Sequence, residues 1–271
     1  MNNEKISIIM GIYNCADTLP EAIDSIIAQT YTNWELVMCD DCSTDDTYKV
    51  AEEYKNRYLD KIILIRNEVN SRLAFSLNHC LIYATGKYIA RMDGDDISAP
   101  DRFEKQIKYL KENPDVDLVG TYMRRFDGNV FADIVTVPTK PNKFTMRNTV
   151  PFAHATIITY KRVYDELNGY TVAKETARAE DADLWFRFFA ADFKGATIPE
   201  PLYFVRENIN AIKRRTFKSR WNALKVVRKG FKLLKYPKWW ILIPTIRTIF
   251  KSFTPVWITS IYRRFQKIVN K

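Results

Sequence analysis

The chain has 271 residues, 46% hydrophobic and 27% charged, which suits a large folded domain and excludes global disorder. Four cysteines are too few for a disulfide scaffold, and no apolar run reaches the roughly 18 residues of a membrane-spanning helix. The formal net charge of +10 hides a division: residues 208–271 hold 17 Lys and Arg and no acid, so residues 1–207 carry a net −7.

The start, MNNEKISIIMG, places an acid before a short apolar strand and does not read as a secretory signal. A reducing, cytosolic compartment is expected. Apolar runs at Ile6–Met10, Leu36–Cys39, Ile62–Ile65, Tyr88–Met92 and Val116–Gly120 predict buried strands. Helical patterns separate them. Thr18-Leu19-Pro20-Glu21 reads as a capping box opening a helix with Ile23, Ile26 and Ile27 on one face. Ser43 or Asp45 is placed to cap a second helix, with Val50, Ala51, Tyr54 and Tyr58 inward. Leu73, Leu77 and Leu81 mark a third, and Pro100 opens a fourth carrying Phe103, Ile107 and Leu110. This alternation predicts a mainly parallel sheet with ligands at the carboxyl ends of its strands. Phe144–Val150 and Ala155–Tyr160 read as further strands, and Glu180–Ala191 as an amphipathic helix.

Three acidic clusters stand out. Arg91-Met92-Asp93-Gly94-Asp95-Asp96 follows a predicted strand directly. Carboxylates this close repel one another unless a cation joins them, and hard oxygen ligands suit Mg²⁺ or Mn²⁺, which also take oxygens from a bound diphosphate. A solvated Asp-Gly turn has the same composition. Cys39-Asp40-Asp41-Cys42-Ser43-Thr44-Asp45-Asp46 also lies at a strand end, where a carboxylate can receive a base or ribose or simply support a helix start. Its Cys-x-x-Cys spacing is set aside as a zinc or redox site, because Cys39 falls in an apolar strand and no second pair follows. Arg178-Ala179-Glu180-Asp181-Ala182-Asp183-Leu184-Trp185-Phe186-Arg187 places acids at a helix start, as the helix dipole favours or as a general base would require.

Taken together and in order, these clusters resemble the family 2 glycosyltransferases of the GT-A fold. The matching pieces are Gly11-Ile12-Tyr13-Asn14, Asp40-Asp41-x-Ser-Thr-Asp, Ser76-Leu77-Asn78, the run from Gly86 to Asp96, Arg102, Gln106, Gly169-Tyr170 and Glu180-Asp181-x-Asp-Leu-Trp-x-Arg. They span about residues 5–207 and omit the basic tail. The resemblance implies an α/β fold: a Rossmann-like, mostly parallel sheet flanked by helices. Residues 1–207 are then the catalytic domain, followed by a helical tail over 208–271.

It also implies roles. Gly11, Tyr13 and Asn14 lie against the uracil and ribose of a UDP-sugar, and Asp41 holds the uracil. Cys42 departs from the glycine common at its position. Arg72 is placed as a diphosphate or uridine contact, or as a solvated cation. Asp93 contacts ribose and shares with Asp95 the binding of Mn²⁺ or Mg²⁺. His154 matches a histidine beside the donor or acceptor pocket, whereas His79, in a helix with Leu77 and Leu81, reads as structural. Asp181 matches the catalytic base of an inverting transfer, with Glu180 its neighbour. One base suffices because UDP is already a good leaving group. Trp185 either stacks on acceptor sugar or, the reading preferred here, fills core.

The tail spaces Phe217, Trp221, Leu224, Phe231 and Leu234 at helical intervals with Lys and Arg between them, and adds Lys238-Trp239-Trp240 and a final aromatic-basic stretch. This composition predicts docking on an anionic membrane surface. Packing on the body or self-association would use the same residues. Peripheral attachment to the inner face of the cell membrane fits a lipid-linked saccharide acceptor in bacterial polysaccharide or lipopolysaccharide synthesis. A nucleic-acid partner is not expected, since the body is net acidic and lacks a zinc-finger or RNP pattern. A nucleotidyltransferase is disfavoured because Gly11-Ile12-Tyr13-Asn14 has neither repeated glycine nor a nearby base.

Overall fold

A computed structural model describes residues 4–128, 130–206 and 217–253. Its centre is a sheet of nine strands in the order β3-β2-β1-β4-β8-β6-β9-β5, with β7 paired to β6. Strands β1 (Ile6–Ile12), β2 (Trp34–Asp40), β3 (Ile62–Arg66) and β4 (Tyr88–Arg91) run parallel. Three helices cross between them: α1 (Leu19–Ile27), α2 (Thr47–Arg57) and α3 (Leu73–Tyr83). Short β5 (Ile97–Ser98) and α4 (Arg102–Glu112) follow. Next come β6 (Leu118–Asp127), β7 (Val130–Val135), β8 (Ile158–Tyr160), α5 (Lys161–Leu167), α6 (Glu180–Ala190) and β9 (Gly195–Arg206). The described tail forms α7 (Phe217–Leu233) and α8 (Leu242–Phe253).

Because side chains alternate along a strand, β1 feeds two cores. Ile6, Ile8, Met10 and Ile12 meet Leu19, Ile23 and Ile26 of α1 on one face. Ile9 meets Leu77 and Cys80 of α3 on the other. Burial on both faces explains the unbroken apolar runs. The second core continues through Leu184, Trp185 and Phe188 of α6 to Phe231, Leu234 and Tyr236 at the end of α7. Gly230 of α7 lies flat on Phe186, where an added Cβ would stand 2.2 Å from the ring. Trp185 is fully buried, edge-on to Phe152 with ring centres 5.1 Å apart, so it fills core.

Several local expectations are corrected. Phe144–Val150 is not a strand: Lys143–Arg147 is a 3₁₀ turn, opened by a capping box between Asn142 and Thr145. Of Ala155–Tyr160 only Ile158–Tyr160 is strand, after a 3₁₀ turn over His154–Thr156. Thr18 precedes α1 without capping it, because its hydroxyl bonds the carbonyls of Cys15 and Gly94. Asp46, not Ser43 or Asp45, occupies the cap position of α2, while Asp45 accepts from the Thr47 amide at 3.0 Å. His79 of α3 lies with its Nδ1 2.9 Å from Asn67 Oδ1. The final aromatic-basic stretch of the tail, residues 254–271, lies outside the described residues.

Candidate active site

The carboxyl ends of β1, β2 and β4 open into a cleft of about 1290 Å³. Gly11, Tyr13, Asn14, Asp41, Arg72, Asp93, Asp95 and Glu180 all line it, so most of the expected site residues converge. Gly11 lets α3 approach closely: a Cβ there would crowd Leu73 and Ser76 at 3.1 and 3.3 Å. Asn14 ties the loop after β1 to the loop after β2, its amide donating to Ser43 Oγ at 3.1 Å and its Oδ1 accepting from the Thr44 amide at 2.9 Å. Cys42 has φ +60, the left-handed conformation that glycine adopts freely.

Asp41 is already engaged. Its Oδ1 accepts from Asn67 Nδ2 and the Ser71 amide, and its Oδ2 from the Arg72 amide, each at 2.8 Å. A carboxylate offers about four acceptor positions, so one remains toward the cleft. Arg72 itself has φ +71 and ψ 168, a region nearly confined to glycine.

The loop after β4 concentrates charge. Oxygens of Asp93, Asp95 and Asp96 lie within 4.8 Å of one another. Burial and repulsion from Asp93 raise the proton affinity of Asp95. Burial, then Asp93 and Asp95, push Asp96 up further. Arg91, itself buried, grips Asp93 with Nη1 to Oδ2 at 2.8 Å and Nη2 to Oδ1. Asp96 accepts from the Arg206 amide at 2.9 Å, and the Arg206 Nε donates to the Asp95 carbonyl at 3.1 Å. The Tyr203 hydroxyl donates to the Asp96 carboxylate and accepts from the Asp93 amide at 3.1 Å. Beneath lies fully buried Arg102, bonded to Gln106 Oε1 at 3.0 Å and the Arg91 carbonyl at 3.1 Å. The all-oxygen donor set, with three carboxylates crowded together and Asp95 facing the cleft, fits a hard divalent cation.

Across the cleft stands the first turn of α6. Burial and the neighbouring Asp181 raise the Glu180 carboxyl above the ordinary range. Asp181 does not line this cleft but a second cavity beside it. His154 also stands outside the cleft lining, with Nε2 2.8 Å from the Tyr170 hydroxyl. Burial and the Arg91 charge depress its pKa well below normal, so the ring is neutral near pH 7. In the sequence Arg91 stands out only as part of its motif, and no local pattern marks Arg206 or Tyr203. Both of the latter come from β9, more than 100 residues beyond the loop they support.

A Rossmann-like sheet carrying an Asp-x-Asp loop at the carboxyl edge defines the GT-A class of sugar transferases. The fold agrees with solved structures: Staphylococcus aureus TarS residues 1–349 in complex with UDP superposes with a TM-score of 0.68 at 19% identity, over 84% of this chain and 65% of that one. A Pyrobaculum calidifontis mannosyltransferase in complex with GDP-Man and Mn²⁺ gives 0.63 at 17% identity, over 99% and 81%. The model of glycosyl transferase family 2 matches residues 7–167, and the chain belongs to that family. Over 270 residues it is 43% identical to EpsE of Bacillus subtilis (strain 168), named as a glycosyltransferase, covering 98% of this chain and 95% of that protein. An Escherichia coli enzyme named as a UDP-Glc:α-D-GlcNAc-diphosphoundecaprenol β-1,3-glucosyltransferase, WfgD, is 40% identical over 123 residues, 45% of this chain and 47% of its own.

Proposed function

We propose that this glycosyltransferase moves a sugar from a UDP-sugar, with inversion, onto a hydroxyl of a lipid-linked saccharide in bacterial surface-polysaccharide synthesis. The observation that carries this reading is the meeting, in one cleft, of Asp93 and Asp95 with Glu180 of the first turn of α6, next to Asp181. The nucleotide lies against Gly11, Tyr13 and Asn14 on the floor, with Asp41 toward the base and Arg72 at the rim. Asp95, with Asp93, holds Mn²⁺ or Mg²⁺, which when bound offsets the charge of the leaving diphosphate. Arg91 fixes the angle of Asp93 and leaves Asp95 turned to the cleft.

The acceptor hydroxyl attacks the anomeric carbon from the face opposite the diphosphate. Its oxygen forms the new bond, its proton passes to the Asp181 carboxylate, and the bond to the diphosphate oxygen breaks. Glu180 stays beside the donor. Neutral His154 and Tyr170 support the wall from behind. The name of WfgD and the complexes of TarS support the lipid-linked acceptor and the uridine nucleotide. Among the described residues no helix is long and apolar enough to cross a membrane. Exposed Trp239, Leu242, Ile246 and Ile249, with the bases of α7, support docking on an anionic surface instead.

Calorimetric titration with UDP and UDP-GlcNAc, in Mn²⁺ or EDTA, tests the reading. Metal-dependent binding that Asp95→Ala abolishes is expected. Asp181→Asn should stop transfer while leaving UDP affinity within about threefold, because a general base acts on the reaction and not on the nucleotide. No binding of either compound would overturn the uridine-donor reading.

A further inference from the structure

Consecutive residues of a helix point about 100° apart, and the first turn of α6 uses this to face two spaces. Glu180 lines the donor cleft, whereas Asp181 lines a neighbouring cavity of about 400 Å³. Trp185 and Phe186 of α6, Val227 and Phe231 of α7 and Pro244 of α8 wall that cavity with apolar surface. Arg147, from the 3₁₀ turn, closes another side. Its Nε is buried without a hydrogen-bond partner among the described residues, and its guanidinium stacks on Trp240, 4.2 Å from the ring centre. A buried cationic N–H with no acceptor is unfavourable, and a guanidinium is shaped to receive phosphate oxygens. An apolar chamber with one underused cation and the candidate base therefore matches a ligand that is part hydrocarbon, part phosphate and part saccharide.

We propose that this cavity receives the phosphate-bearing end of the lipid-linked acceptor, with its diphosphate at Arg147 and its first isoprenoid units between α6, α7 and α8. The identity of the ligand as acceptor rests on the transferase reading above. The tail helices are then a wall of the acceptor site as well as a seat on the membrane. The acceptor's saccharide then reaches past Asp181, at the edge of the α6 turn, to meet the donor beside Glu180.

Farnesyl diphosphate is the probe, titrated calorimetrically into the full chain with UDP present, beside farnesol and inorganic diphosphate. Binding is expected for farnesyl diphosphate and at least tenfold weaker for either fragment. Arg147→Gln should weaken it at least tenfold. So should Val150→Trp, which crowds the cavity from a half-exposed rim position and whose folding the unchanged UDP affinity checks. Neither change should alter UDP affinity. Four results would each overturn the proposal: displacement of the probe by UDP, wild-type binding by both variants, equal affinity for farnesol, or equal displacement by phosphatidylglycerol vesicles free of isoprenoid. A chain that binds the probe through Arg147 but never binds UDP would sink the donor reading and leave this one standing.

Discussion

The guanidinium of Arg91 holds both carboxylate oxygens of Asp93, two residues away on the same strand end. Arg91 is buried, and its charge also reaches His154, Tyr170 and Glu180, so one cation serves the metal loop and the helix opposite. A lysine would keep the charge and lose the fork. Arg91→Lys should therefore raise the Mn²⁺ concentration needed for half-maximal UDP binding at least tenfold. It should also cost about 2–4 kcal/mol of stability, as expected when a buried paired group is left badly matched. Metal titrations and urea denaturation measure the two effects separately.

Glu180 carries a raised pKa, so its charged form is the one the fold disfavours. A carboxyl whose folded pKa lies above its unfolded value destabilises the protein once pH exceeds the unfolded value, with the full effect above the folded one. Glu180→Gln should raise the melting temperature near neutral pH. The gain should fade as pH drops through the ordinary carboxylate range near about 4.3, where glutamate is neutral in both states. Melting curves at pH 4 and pH 7.5 decide it; an equal gain at both would remove the charge explanation.

Glu35 is the opposite case. Burial pushes its carboxyl up, but hydrogen bonds from Ser7, from the Thr85 amide and hydroxyl, and from Lys5 outweigh it and hold it low. The contacts are 2.5 Å to Ser7 Oγ and 2.7 Å to the Thr85 amide. A lowered carboxyl stabilises above its unfolded pKa and loses that contribution as pH falls through the folded value. Glu35→Gln should destabilise by about 1–3 kcal/mol at pH 7 and by progressively less in acid. Denaturant midpoints across pH would show it.

Gly230→Ala pits two effects against each other. Alanine improves an α-helix by about 1 kcal/mol over glycine. The new Cβ would stand 2.2 Å from Phe186, and both backbones are held by packed helices. Overpacking of this kind costs about 1–3 kcal/mol, so net destabilisation is expected. Pairing it with Phe186→Leu should return part of the loss, which a double-mutant cycle quantifies.

Strands buried on both faces and helices with one apolar stripe were legible, because both periods are local. The acid clusters were legible as well, since each falls within a few residues of a strand end or helix start. Strand β9 was not. Pro199 and Pro201 interrupt its pattern, and the irregular pairing with β6 at Tyr122 that tolerates them is visible only in three dimensions. Arg206 and Tyr203 were hidden with it. Phe144–Val150 misled for a different reason: its apolar residues meet the tail, with Phe144 stacked on Tyr236, not a neighbouring strand. Nothing in adjacent residues shows that Glu180 and Asp181 look into separate spaces.

Asp41 binds two successive amides, of Ser71 and Arg72, just where the backbone turns through a conformation that costs about 1–3 kcal/mol outside glycine. The carboxylate thus works as a latch on a cocked spring at the cleft's edge. The Ser71 and Arg72 amides should exchange hydrogen slowly for a loop, and together, because one group shelters both. A nucleobase that draws Asp41 toward itself would release that tension into the start of α3, so nucleotide arrival would be felt first as a change in loop exchange on the far side of the carboxylate.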